Sequence, residues 1–310
     1  MIQDVVSVKL PVGEQFTIRK NHIEGAGLGQ GKRLCVITGT HGDELEGQYV
    51  TWKLARILKE KRDCLHGIVD IYHALNPLGV STINRGIPNF DIDMNRMFPG
   101  NPDGGTFEYV CSQIIRDAQG ADLALDIHAS NIYLREIPQI RINELTADRL
   151  VPMAQHMNMN LVWVHSAATV LQSTLAYSLN MLDTPSLVVE MGVGMRITKA
   201  YGDQLVEGIL ATMFDMGMWT DPVPPVAPPI LGRDNEVGFV NANESGVFLP
   251  YVAHGDRLRE GEIIGVVADP LSGDIKETLR CPLSGLVFTL REYPVVYSGS
   301  LIARVLGGAR

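Results

Sequence analysis

Cysteine is scarce in this 310-residue chain, which holds four, Cys35, Cys64, Cys111 and Cys281, with no Cys-x-x-Cys pair among them. That scatter speaks against a disulfide framework or a cysteine zinc site and for reduced thiols. Positive charge is short as well: 26 Lys+Arg stand against 35 Asp+Glu, a formal net charge of -9. With no basic surplus to release counterions from a nucleic-acid backbone, nucleic acid is not an expected partner. No stretch approaches the roughly 20 apolar residues of a membrane helix. Met1-Ile-Gln-Asp4 carries no basic n-region, so neither a signal peptide nor a membrane partner is expected, and the chain reads as cytoplasmic. No Gly-x-Ser-x-Gly elbow is present, which removes the usual serine-hydrolase arrangement. Gly25-Ala-Gly-Leu-Gly-Gln-Gly31 has the glycines of a nucleotide loop but precedes a strand instead of following one, and reads as a turn.

What is present is an ordinary globular composition, 45% hydrophobic and 20% charged, which excludes disordered and fibrous classes. The segment Asp221-Pro-Val-Pro-Pro-Val-Ala-Pro-Pro229 places five prolines in nine residues. It favours extended polyproline and denies helix or central strand. The expected division is therefore 1–220, a linker at 221–229, and 230–310. In the first part, apolar runs predict buried strands at Leu34–Thr38, Val69–Leu75, Leu123–Ile127, Leu161–His165 and Ser186–Glu190. Phe107, Val110, Cys111, Ile114, Ile115 and Ala118 share one helical face, and Leu205, Ile209, Leu210, Met213 and Phe214 another. The alternation predicts an α/β sheet with helices on both faces, where ligands collect at the carboxyl ends of strands. In the last part, short runs at Val237–Val240, Gly246–Val252, Ile263–Val267 and Leu286–Leu290 are broken by glycines, as in a small all-β barrel or sandwich. His254–Gly265 resembles the strand-turn repeat of biotinyl and lipoyl carriers. The one lysine of that part, Lys276, lies in Asp-Ile-Lys-Glu, the wrong setting for a carrier lysine.

The densest polar cluster follows the first strong strand, in Thr38-Gly-Thr-His-Gly-Asp-Glu-Leu-Glu-Gly47. His41 and Glu44, three apart at a strand-to-helix turn, can aim an imidazole and a carboxylate at one ion. A capped helix start, with Thr40 or Asp43 as the cap, accounts for the same residues without chemistry. A second histidine ends another strand, in Leu125-Asp-Ile-His-Ala-Ser130. Alternation puts Asp126 and His128 on one face, so Asp126 can orient the ring; alone, His128 is better explained as a satisfied core histidine. Two histidines and one carboxylate at strand ends of one sheet form the ligand set of catalytic zinc, which leaves a position for water. Glu190 follows the buried run Ser186-Leu-Val-Val, where a carboxylate needs a partner or a task. It is the candidate general base, with a salt bridge as the alternative. In the polar loop Asn84–Gly100, Arg85 and the pair Asn95-Arg96 offer donors for an oxyanion and a carboxylate, or internal Arg–Asp pairs.

His-x-x-Glu, Arg, Asn-Arg, His and Glu, in that order, resemble the zinc carboxypeptidase clan. Gly39-Thr-His-Gly-Asp-Glu44, Asp93-Met-Asn-Arg96 with Phe98-Pro-Gly100, Asp126-Ile-His128 and Val189-Glu-Met-Gly192 resemble its succinylglutamate desuccinylase/aspartoacylase branch. The resemblance implies a mixed central sheet with helices on both faces and a small C-terminal all-β domain. It further implies zinc, one ion per chain, on His41, Glu44 and His128, with Glu190 as base and Arg85 polarising the scissile carbonyl. Asn95 and Arg96 would hold a substrate carboxylate, and Tyr297, in Val295-Val-Tyr-Ser298, corresponds to a substrate-binding tyrosine of the family's C-terminal domain. The arginine that aspartoacylases carry shortly before the glutamate is missing from Tyr177-Ser-Leu-Asn-Met-Leu182, which loosens the expectation of an acidic substrate. Arg196 is either the alternative anion binder or a surface residue. The expected reaction is hydrolysis of the amide bond of a small N-acyl amino acid, and a homo-oligomer is compatible with the sequence. A carboxypeptidase-type metallopeptidase and a non-catalytic binding protein of the same fold are the rival readings.

Overall fold

The computed structural model describes residues 1–26, 31–166 and 172–308. Most of the expected glycine turn, residues 27–30, lies outside the described residues. The chain opens with an antiparallel hairpin, β1 (Ile2–Lys9) and β2 (Gln15–Glu24). Next come β3 (Arg33–Thr38), α1 (Glu46–Glu60), β4 (Ile68–Tyr72), α2 (Pro77–Thr82), α3 (Thr106–Ala118) and β5 (Leu123–His128). They are followed by β6 (Leu134–Asn143), α4 (Ala147–Ala154), β7 (Leu161–His165), α5 (Leu175–Met181), β8 (Ser186–Gly192) and α6 (Lys199–Asp215). Residues 222–229 form neither helix nor strand. Beyond them lie β9 (Ile230–Arg233), β10 (Val237–Asn241), β11 (Gly246–Pro250), β12 (Arg257–Leu258) and β13 (Ile263–Ala268). The last four are β14 (Ile275–Arg280), β15 (Gly285–Arg291), β16 (Val295–Val296) and β17 (Leu301–Gly307). Lys276 sits within β14, with its ammonium on the Ser245 carbonyl. No helix among the described residues is long and apolar enough to cross a membrane.

The fold is α/β around one mixed, 13-stranded sheet whose main path runs β1-β2-β4-β3-β5-β8-β6-β15-β17-β10. Strands β4, β3, β5 and β8 are mutually parallel, while β6 returns antiparallel to β8. Along its other edge β6 pairs in parallel with β7 through Gln139–Asn143 and antiparallel with β15 through Leu134–Glu136. The sheet therefore continues without a break into strands that follow the proline segment. A separate antiparallel sheet, β14-β13-β11-β16, is built from the C-terminal part alone.

Helices cover both faces, and alternation along β3 shows why its sequence is apolar throughout. Leu34 and Val36 pack with Val50, Leu54, Leu205 and Ile209 from α1 and α6. Cys35 and Ile37 point the other way, into Val110, Ile114, Leu175 and Leu179 from α3 and α5. The α3 face is buried as its spacing predicts. On α6 the expected stripe is corrected at one end: Phe214 is exposed. It lies nine residues past Leu205, about two and a half turns, and so on the opposite side of the helix.

Candidate functional site

Three neighbouring strands, β3, β5 and β8, place the polar groups at their carboxyl ends. After Thr38 the chain does not enter a helix at once. Helix α1 starts at Glu46 with Leu45 at its N-cap position and no side-chain cap, so neither Thr40 nor Asp43 serves as one. Residues 39–45 form a compact turn pressed against the β4–α2 connection. Gly39 has φ +68, and a Cβ on Gly42 would lie 1.9 Å from the Gly79 carbonyl carbon, so no larger side chain fits there. This turn swings His41 and Glu44 back over the strand ends, where His128, the last residue of β5, joins them.

His41, Glu44 and His128 are all buried, and one candidate ligand atom from each lies within 4.8 Å of the others. Nδ1 of His41 is 2.7 Å from Glu44 Oε1, and Nδ1 of His128 is 2.8 Å from Glu44 Oε2. Each ring turns its other nitrogen to an aspartate: His41 Nε2 is 3.1 Å from Asp93 Oδ1, and His128 Nε2 is 3.1 Å from Asp126 Oδ1. Burial disfavours charge on both rings, yet the adjacent carboxylates outweigh it, raising His41 and taking His128 well above the ordinary imidazole value. Burial also opposes ionisation of Glu44, but the two imidazoles hold its carboxyl well below the usual range. The donor set fits a zinc ion: two Nδ1 atoms and a carboxylate converge, and each histidine has a second carboxylate at its other nitrogen, hydrogen-bonded in the case of His41 and Asp93. Asp126 stands where strand alternation places it. The matching partner, Asp93, lay unread in the Asp-Met-Asn-Arg motif, because a loop residue gives no periodicity from which to infer its direction.

The cluster opens into a cavity of about 440 Å³ whose wall includes Glu190, Arg85, Asn95 and Arg96. Burial pushes the Glu190 carboxyl up to about 7, with Arg141 pulling down and Glu136 adding to the rise. Arg85 donates to Glu44 Oε1 at 3.2 Å and to Asp93 Oδ2 at 3.3 Å. Asn95 and Arg96 belong to a 3-10 turn capped by Asp93. Asn95 Oδ1 accepts from the Leu175 backbone, and Arg96 Nη1 donates to the Asn95 carbonyl. Two expected contributors are not brought here. Tyr297 is 72% exposed in the turn between β16 and β17, where its backbone N–H bonds Ser300 Oγ, and it does not line the cavity. Arg196 is exposed too, and its Nη1 donates to its neighbour's carbonyl.

The cavity also has residues to which the sequence assigned no role. Tyr133 stands at its wall, His165 ends β7 beside it, and Glu136, Arg141 and Arg304 close its far side. Arg304 arrives from β17, so the C-terminal part contributes directly. Glu136 and Arg141 are five apart on β6, a spacing that in a regular strand puts them on opposite faces. The pairing of β6 with β8 shifts register between Glu136 and Gln139, and this irregularity beside Pro138 brings both to one face. No alternation pattern announces that.

Comparison with known proteins gives a consistent answer. The family model of the succinylglutamate desuccinylase/aspartoacylase catalytic domain matches residues 30–214. An N-alpha-acetyl-L-2,4-diaminobutyric acid deacetylase from Halomonas elongata is 32% identical over 111 residues, covering 36% of this chain and 32% of that protein. The match thus spans about a third of that relative's length. Among solved structures, the product-bound ectoine utilization protein EutE (DoeB) from Ruegeria pomeroyi superposes with TM-score 0.84 at 19% identity, covering 98% of this chain and 94% of that one. A succinylglutamate desuccinylase/aspartoacylase from Rhodobacter sphaeroides gives 0.82 at 22% identity, covering 99% and 95%. At these identities the structural likeness is one of fold.

Proposed function

The chain belongs to the succinylglutamate desuccinylase/aspartoacylase family, and from that premise we propose that it is a zinc-dependent hydrolase of a small N-acyl amino acid or related amide. The observation that carries this reading is the placement of Glu44 between two imidazole Nδ1 atoms, each ring backed by an aspartate, in one buried cluster beside Glu190. His41, Glu44 and His128 would hold the metal. Zinc in that position supplies Lewis acidity and makes water a stronger acid.

The chain's own residues do the rest. Glu190, poised by burial, accepts the proton of the attacking water and returns it to the leaving nitrogen. Arg85 leans on Glu44 and Asp93, within reach of a carbonyl oxygen as it gains charge. Arg96 offers a fork of donors to a substrate carboxylate, and Asn95, fixed by the Leu175 backbone, has its amide N–H groups to add. Asp93 and Asp126 hold the imidazoles in place.

The test is elemental analysis of the purified protein together with a panel of N-acyl amino acids. Close to one zinc per chain and release of free amino acid are the expected results. A metal-free protein that takes up no zinc, or a zinc protein inert toward the whole panel, would overturn the reading.

A further inference from the structure

A chain of charged side chains stands behind Glu190 and has no part in the metal cluster. Arg141 Nη1 donates to Glu190 Oε1 at 3.2 Å. Its Nη2 goes the other way, to both oxygens of Glu136, at 2.7 and 2.6 Å. Glu136 is 1% exposed and takes three more donors: Arg304 Nη1 and Gln139 Nε2, each at 2.9 Å, and Thr289 Oγ1 at 3.3 Å. Both guanidiniums rest on the Trp163 ring, at 5.4 and 5.5 Å from its centre, and the indole Nε1 is itself tied to Asp234. Among the described residues neither Arg141 Nε nor Arg304 Nε has a hydrogen-bond partner, so Glu136 and the indole set the attitude of both planes.

We propose that Glu136 and Arg304 are positioning residues for the reaction: they fix Arg141, and Arg141 fixes one oxygen of Glu190 so that the other serves the cavity. The proposal rests on reading Glu190 as the base. An arginine with a single carboxylate partner tends to pair with it through two parallel bonds and would occupy both oxygens of Glu190. Glu136 draws Nη2 away from that pairing, and Glu190 is met by Nη1 alone. A base oriented by a third group is the general arrangement for proton transfer at a fixed geometry. Simple attachment of the C-terminal strands does not require Arg141. The β6–β15 pairing already sets Thr289 opposite Glu136, and Arg304, Gln139 and Thr289 already satisfy its oxygens. Because Arg304 comes from β17, the last strand of the chain is made part of the active-site wall.

The experiment measures kcat, KM, zinc content and thermal midpoint for Glu136→Gln, Arg141→Met, Arg141→Lys and Arg304→Lys. Each variant is made in the wild-type and in the Glu190→Gln background, with the N-acyl amino acid the wild type turns over fastest as substrate. Glu136→Gln and Arg141→Met should lower kcat on the order of 10- to 100-fold, as for lost orienting contacts, with KM and zinc nearly unchanged. Lysine at 141 should keep part of the rate, since it retains charge but not the fork. In the Glu190→Gln background the same changes should cost nothing further, because residues acting as a unit are not additive. Equal losses in both backgrounds, or unchanged kcat in Glu136→Gln and Arg141→Met, would overturn the proposal and leave the base assignment standing. Wild-type activity in Glu190→Gln alone would overturn the base assignment and this proposal with it. Should Glu136→Gln not fold, the two lysine variants carry the same comparison.

Discussion

His128 and Glu190 stand directly opposite each other in the parallel pairing of β5 and β8. Parallel neighbours end at the same edge of a sheet, so a candidate metal ligand and a candidate base emerge there side by side. On the other flank of β5, the β3 turn brings in His41 and Glu44. Three adjacent strands thus set the spacing between the candidate metal ligands and the candidate base through backbone pairing, before any side-chain contact is made.

Replacing Glu190 by Gln keeps the shape of the side chain and its bond to Arg141 but removes the proton acceptor. Zinc content should be unchanged while kcat falls on the order of 10²- to 10⁴-fold. Steady-state kinetics with parallel metal analysis decide it: a metal-replete variant at near wild-type rate would exclude Glu190 as the base.

The pH profile follows from the same group. A general base works only when deprotonated, so kcat/KM should rise with pH through the Glu190 pKa. Burial lifts that carboxyl to about 7, and a dication beside it would favour the carboxylate, so the acid limb should have its midpoint at or below about 7. Protonation of His41 and His128 also competes with metal at acid pH, because only neutral imidazole binds it. Zinc content measured at each pH separates the two effects. A rate that is flat across the acid range while zinc stays bound would contradict a titrating base.

Asp93 and Asp126 each place a carboxylate oxygen 3.1 Å from an imidazole Nε2, Asp93 in a hydrogen bond and Asp126 as a buried charge, so Asn at either position should weaken zinc binding. A loss on the order of 10- to 100-fold is expected for the carboxylate behind a metal-bound histidine. Competition with a chelator measures it. If Asp126→Asn weakens zinc and Asp93→Asn does not, the His41 contact is incidental to metal binding.

How much of this was legible depended on periodicity. Strands β3, β5, β7 and β8 announce themselves because two buried faces demand unbroken apolar runs, and the motif residues His41, Glu44, His128 and Glu190 sit at their ends. The β1–β2 hairpin was not read: β2 buries alternate residues Phe16, Ile18 and Lys20, but the third of these is a lysine, and the pairing of β1 shifts register between Asp4 and Val6, so the apolar run on either strand is short. Strand β6 hid for another reason. Pro138 and the register shift beside it break the pattern that would have exposed Glu136 and Arg141 as neighbours. Arg304 lies 168 residues from the carboxylate it meets, a juxtaposition that only the β15–β17 and β15–β6 pairings create. Tyr297 is the opposite case, a match in sequence context that the fold carries to an exposed turn.

The substrate end of the cavity gives the last prediction. On the proposed reading Arg96 and Asn95 would contact a carboxylate equally in the bound substrate and in the transition state, so losing them should mainly raise KM. Arg85 differs. It sits against Glu44, and its charge matters most as the carbonyl oxygen becomes an oxyanion, so Arg85→Ala should lower kcat instead. Lysine at 96 keeps the charge without the fork and should restore only part of the binding. The decisive comparison is a cleavable N-acyl amino acid against its C-terminal amide, in wild type and in Arg96→Ala. The wild type should prefer the acid, and the variant should lose that preference by weakening on the acid alone. Equal wild-type rates on acid and amide would mean that neither Arg96 nor Asn95 reads a carboxylate, and the N-acyl amino acid assignment would have to yield to a neutral amide held by other residues of the wall.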